Sequence, residues 1–140
     1  MPDYQNKKTL RVKIDKLVHG GQGIGTLSDG RKAFVWNALP GEEVNFEVTK
    51  SKKDYVEGTA SDTLDSSNYR VMPKDELFLS TSPWQILDED QEDNHKLEIL
   101  KETFIRQKLN FENIDFYKTT RFWGYRNKME YSFYGDEAGL

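Results

Sequence analysis

The sequence contains no cysteine. That excludes disulfides, thiolate-held zinc, iron–sulfur clusters and every thiol nucleophile. Histidine is nearly missing too: His19 and His95 stand far apart, so a histidine-based metal site is not expected. Apolar runs are only a few residues long, well short of the ~20 that a membrane-spanning helix needs. Residues 1–12 lack the apolar centre of a secretory signal. Together these absences lead to the expectation of a soluble, cytoplasmic protein. Activated nucleophiles are also lacking. Ser80 and Ser82 have no histidine nearby in sequence, and the visible carboxylates lie in charged runs, so catalysis by this chain alone is not expected.

What the chain does have is charge, unevenly spread. The formal net charge is −4. Residues 1–61 carry ten lysines and arginines against eight acids, residues 62–95 two against nine, and residues 96–140 eight against seven. The acidity centres on Asp88-Glu-Asp-Gln-Glu-Asp93, which reads as a solvated loop and helix start. The sequence pI of about 5.3 does not exclude an anionic partner, because binding depends on local patches.

Apolar residues alternate with polar ones in five short stretches. Leu10, Val12 and Ile14 alternate with Arg11, Lys13 and Asp15, which predicts a half-buried strand over residues 9–17. Further strands are expected at Thr26-Leu27, at Lys32 to Trp36, around Val44, Phe46 and Val48, and from Tyr55 to Ala60. Ser28-Asp29-Gly30 and Leu39-Pro40-Gly41-Glu42 supply turns between them. Five short strands punctuated this way suggest a small closed barrel of the OB type, since closure removes sheet edges. Residues 62–83 lack periodicity and read as a linker with packing anchors. A helix is expected over 92–109, with Leu97, Leu100, Phe104 and Leu109 on one side and Asp93 or Asn94 as its N-cap. Tyr125 to Tyr134 alternates again and predicts a strand. Gly135-Asp136 offers a turn, but four residues then remain, so the second half of the hairpin is expected to be missing and the chain to be the front part of something longer.

His19-Gly-Gly-Gln-Gly-Ile-Gly25 invites comparison with phosphate-binding loops. The G-x-G-x-x-G pattern from Gly21 ends on Thr26, and the P-loop pattern from Gly25 meets Arg31 where lysine belongs. Neither stretch precedes a helix, as both mechanisms require. A structural turn, or a loop whose backbone approaches a ligand, remains. Nucleic-acid binding fits better. Arg11, Lys13, Arg31, Lys32, Lys50, Lys52 and Lys53 are interleaved with Phe34, Trp36 and Tyr55. Cations neutralise phosphates, and exposed rings stack on unpaired bases. Phe34 and Trp36 alternate with Val35, so one of these sets must be core, and a tryptophan in a small barrel is more often core than platform. Lys50 to Lys53 is by itself also an ordinary solvated loop.

Leu17-Val-His-Gly-Gly-Gln-Gly-Ile-Gly-Thr-Leu27, Lys32-Ala-Phe-Val-Trp36, Leu39-Pro-Gly-Glu42 and Val44 to Lys50 resemble a TRAM domain. The form is the one that opens RNA (uracil-5-)-methyltransferases of the ribosomal and transfer RNA type. Pro83-Trp84-Gln85 and Trp123-Gly-Tyr-Arg-Asn-Lys128 resemble the start of that family's central domain. The resemblance implies an OB-like TRAM barrel over 1–62, a linker over 63–91, and over 92–140 a truncated start of an α/β central domain, one helix and one strand. It also implies S-adenosylmethionine and a catalytic cysteine in a further domain. With neither thiol nor such a domain here, the expected role is substrate delivery: an RNA-binding N-terminal part that acts on ribosomal RNA, or transfer RNA, beside the parent's catalytic domain. Many members carry a C-x5-C-x2-C cluster segment before the Trp-Gln pair. Pro73, Leu79 and Ser82 occupy those positions, so a cluster-free branch is implied. No DNA specificity and no membrane contact are expected. The residues expected to touch RNA are Lys13, His19, Gln22, Arg31, Lys50, Lys52, Lys53 and Tyr55, with Arg126 and Lys128 from the second domain. A protein-docking barrel within a larger enzyme and a stand-alone TRAM RNA-binding protein are the alternatives.

Overall fold

The computed structural model describes residues 8–110 and 112–139. Alternation builds the first half. Strand β1, Thr9–Leu17, turns Val12 and Ile14 inward and leaves Arg11 and Lys13 outside. It pairs antiparallel with β2, Gly23–Thr26, on one side and with β4, Glu43–Ser51, on the other. β2 pairs with β3, Lys32–Trp36, and β4 with β5, Tyr55–Asp65. A parallel ladder from Lys32↔Tyr55 to Trp36↔Thr59 joins β3 to β5 and closes the barrel in the order β1-β2-β3-β5-β4. The expected five-stranded barrel is therefore present. Its core is Ile14, Val35, Val44, Phe46 and Val56, all essentially free of solvent. Each such burial stabilises by about 1.5–3 kcal/mol. The choice left open on β3 resolves with Ala33 and Val35 inside, and Phe34 and Trp36 half-buried on the outer face.

Two strands differ from expectation in extent. β5 runs five residues past Ala60, to Asp65. β2 begins at Gly23 instead of Thr26, because the glycines themselves form the ladder. Their inward sides press on β1. A Cβ on Gly25 would lie 2.1 Å from the Lys13 carbonyl oxygen and 2.7 Å from Val12 Cγ2. Gly23 and Gly25 thus have a packing cause that needs no ligand.

After the barrel the chain folds back on it. Val71 N–H donates to the Ile86 carbonyl at 2.8 Å and Asp88 N–H to that of Tyr69 at 2.9 Å, making a short bridge that brackets α1, Phe78–Thr81, and a 3-10 turn at Pro83–Ile86. Ile86 and Leu87 are buried with Leu17 and Leu39 of the barrel side, and Phe78, Trp84 and Ile99 pack around them. Helix α2 spans Glu89–Arg106, shifted three residues toward the N-terminus from the expected span. Its N-cap is Asp88, whose carboxylate accepts from Asp90 N–H at 3.1 Å, and not Asp93 or Asn94. The acidic run is itself the first turn, where Glu89, Asp90 and Glu92 complement the helix dipole. Asp93 instead sits inside the helix and is buried. Lys108, at φ 55, ends the helical path before Leu109.

The strand expected over residues 125–134 shrinks to β6, Ser132–Tyr134, and its partner β7, Glu137–Gly139, is present after all. Gly135, at φ 61, opens the two-residue turn between them. Alternation alone did not make residues 125–131 a strand. A ladder forms only where a second strand lies alongside, and among the described residues that happens only from Ser132 on. No helix among the described residues is long and apolar enough to cross a membrane.

Candidate nucleic-acid interface

The β3–β5 side of the barrel gathers half of the expected contact residues. The parallel register sets Lys32 beside Tyr55 and Phe34 beside Glu57. Phe34 and Tyr55, both half-buried, meet edge to face with ring centroids 5.9 Å apart and planes at 89°. Lys50 Nζ lies 5.2 Å from the centre of the Tyr55 ring and 3.0 Å from Glu57 Oε1. Hydrogen bonding to Tyr55 and then to Glu57 raises the lysine's pKa above its ordinary value, so it stays cationic. Arg31 donates to Ser51 Oγ at 3.1 Å and pairs with Asp29 at 2.8 Å, which holds the Asp29 carboxyl below its usual range. Lys52 and Lys53 stand exposed on the β4–β5 turn, whose backbone is closed by Lys52 N–H donating to the Tyr55 carbonyl at 2.8 Å. One aromatic edge thus stands among five cations, of which Arg31 and Lys50 are partly neutralised.

The other expected residues lie elsewhere. Lys13 is exposed on β1, opposite Glu43 of β4, on a different side of the barrel. His19 and Gln22 sit in the β1–β2 turn, which Val18 N–H closes by donating to the Gln22 carbonyl at 3.0 Å. That turn lines an open groove that Trp123 and Arg126 also line. Lys128 is exposed and paired with Glu130 at 2.6 Å. The ten residues therefore do not converge on one point.

A buried carboxylate and a partly buried arginine join the segment after the barrel to the barrel. Glu42 has no solvent exposure. Its Oε1 and Oε2 accept from Arg70 Nε and Nη2, both at 2.7 Å, from Leu39 N–H at 2.9 Å and from Ser67 N–H at 3.1 Å. Arg70 also reaches the Asn37 side-chain and backbone oxygens at 3.2 and 3.1 Å. Burial pushes the Glu42 carboxyl up, but Arg70 and the two amides outweigh it and hold it below the ordinary carboxylate range. A bidentate fork of this kind is specific in direction as well as strong. It ties segment 67–71 to the barrel and so seats Trp84, whose Nε1 donates to the Gly21 carbonyl at 3.0 Å. Lys16 of β1 and Glu102 of α2 make a further ion pair across the same seam.

Sequence reasoning missed this pair. Glu42 was visible only as the end of a turn. The usable signal was Arg70, one of two cations in an otherwise acidic stretch. Trp84 and Trp123 stood out only through the family resemblance, because neither falls on a periodic face.

The TRAM domain family model matches residues 4–60. An RNA methyltransferase of Thermotoga maritima is 33% identical over 132 residues, which cover 93% of this chain and 30% of that protein. The 23S rRNA (uracil(1939)-C(5))-methyltransferase RlmD of Legionella pneumophila is 39% identical over 69 residues, 49% of this chain and 15% of the relative. RlmD of Halomonas elongata is 30% identical over 128 residues, 90% of this chain and 26% of the relative. The chain thus spans less than a third of the length of these relatives. Residues 4–60 are a TRAM domain, carried by a chain similar over most of its length to part of proteins named as RNA methyltransferases.

Proposed function

We propose that the chain binds RNA through the β3–β5 side of its barrel, as the substrate-holding part of an RNA uracil-5 methyltransferase acting on ribosomal RNA. The observation that carries this is the Phe34–Tyr55 edge set among Arg31, Lys50, Lys52 and Lys53. The lysines would neutralise phosphates while the Tyr55 edge meets an unpaired base. Protein docking would be favoured by buried rings and scattered lysines. Phe34, Trp36 and Tyr55 are instead half-buried, and three lysines gather near Tyr55, which supports RNA.

S-adenosylmethionine is the methyl donor implied for such an enzyme, but the residues described do not fit it. The glycine-rich turn joins two antiparallel strands, Gly23 and Gly25 after it are packed against β1, and no helix follows it. Methyl transfer would therefore fall to another part of the parent protein, and no step of it is assigned to this chain.

A salt titration tests the reading. Affinity for a structured ribosomal RNA fragment should fall linearly in log–log form as salt rises. Lys52→Ala/Lys53→Ala should reduce that slope by roughly 1–2. No measurable affinity at low salt, or affinity indifferent to salt, contradicts the proposal.

A further inference from the structure

We propose that aromatic side chains from the barrel and from the segment after it form one continuous track for an unpaired RNA strand, running from Tyr55 to Trp123. This rests on the RNA-binding reading and deepens it by naming the form of RNA.

The track starts at the Tyr55–Phe34 edge. Phe34 and Trp36 are two residues apart on β3, so both project from the same outer face. Trp36 reaches the glycine turn: its Cζ3 is 3.5 Å from where a Cβ of Gly21 would stand, and Trp84 Nε1 is 3.2 Å from that same point. Only a residue without a side chain lets both indoles close on the turn, and Gly21 also holds φ 105. Trp84 is fixed by its hydrogen bond to the Gly21 carbonyl. It lines a groove of about 1490 Å³ that Trp123, 42% exposed, also lines. Trp123 is oriented by donating from Nε1 to Glu89 Oε1 at 3.1 Å, with Lys74 Nζ 4.1 Å from its ring centre.

Charge follows the same line. Lys50, Lys52 and Lys53 flank its first end; Lys74 and Arg126 line its last part. Acids also line the groove, but each is engaged. Asp88 caps α2, Glu89 holds Trp123, Asp90 faces Lys118 at 3.7 Å and Glu92 pairs with Lys96 at 2.5 Å. Arg126 makes no ion pair among the described residues. Rings in series with cations alongside suit a strand whose bases are free to stack on protein. A duplex stacks its bases on each other and leaves no base face free for a protein ring.

All three tryptophans of the chain lie on the track, so intrinsic fluorescence reads it directly. The protein would be titrated with an oligouridylate of about 12 nucleotides and with a duplex of the same length. The single strand should quench tryptophan emission and bind at least ~10-fold more tightly than the duplex. Trp123→Ala should weaken it by roughly 5- to 100-fold, and Trp123→Phe, which keeps a ring, should restore most of that. An unchanged barrel amide spectrum would show that Trp123→Ala still folds. Equal affinity for strand and duplex overturns the track. So does an unaffected Trp123→Ala in a protein that Lys52→Ala/Lys53→Ala does weaken, and both results leave RNA binding by the barrel standing. Failure to bind either RNA at low salt overturns both.

Discussion

The two halves of the molecule bury their side chains very differently. Among the described residues the barrel holds nearly all of the solvent-free apolar groups, whereas every large exposed apolar side chain except Leu64, near the end of β5, lies after it. The barrel is held by closed ladders around one core. The segment after it is held by a seam: Ile86 and Leu87 under Leu17 and Leu39, and the Glu42–Arg70 fork. On that contrast the first half is expected to stand as a folding unit, with the second taking its place from the first.

Four changes would break or sharpen that contrast. The largest effect is expected from Gly25→Val, which drives side-chain atoms into the Lys13 carbonyl of the adjacent strand. A cost above about 4–5 kcal/mol should unfold the barrel and the seam together in a urea titration. Retained ladder protection would mean that the β1–β2 contact is looser than described. Next, Arg70→Ala leaves Glu42 buried without its cation, a loss of about 3–5 kcal/mol. It should release segment 67–87 to hydrogen exchange while β1–β5 amides keep their protection. Loss of both at once would deny that the halves are separable.

A smaller effect concerns acid. Glu42 has a folded pKa below its ordinary 4.5. Its contribution is therefore complete above pH about 4.5 and is lost as pH falls through the lower folded value. Glu42→Gln should be less stable at neutral pH yet flatter across that acid range. A variant with the same acid slope as the parent would place the titration elsewhere. The smallest effect is expected from Lys16→Ala, which breaks an exposed pair with Glu102. It should cost about 0–1 kcal/mol and leave α2 docked, as read by the exchange of its amides.

The barrel was legible because its signals are local. Alternation on β1, β3 and β4 and Pro-Gly or Ser-Asp-Gly turns between strands each act within a few residues. The glycines of β2 were legible as a motif but not as a strand, since their role depends on how closely β1 passes. The seam was much less legible. Glu42 and Arg70 are 28 residues apart, and only closure of the barrel brings them within hydrogen-bonding distance. Residues 125–131 misled in the opposite sense, by carrying a strand's alternation without a neighbouring strand. For the candidate site, residue type was readable and position was not. Sequence named Lys50, Lys52, Lys53 and Tyr55, but it could not put Lys13 on another side of the barrel or bring Trp84 against Gly21.

The measurement closest to the central claim is a map of amide chemical-shift changes across the barrel as RNA is added. The largest changes are predicted at Phe34 and from Lys50 to Tyr55, with the outer residues of β1 and β4 around Arg11 and Glu43 little affected. Changes centred on Arg11 and Glu43, with Phe34 and Tyr55 silent, would contradict the assignment of the RNA-binding side.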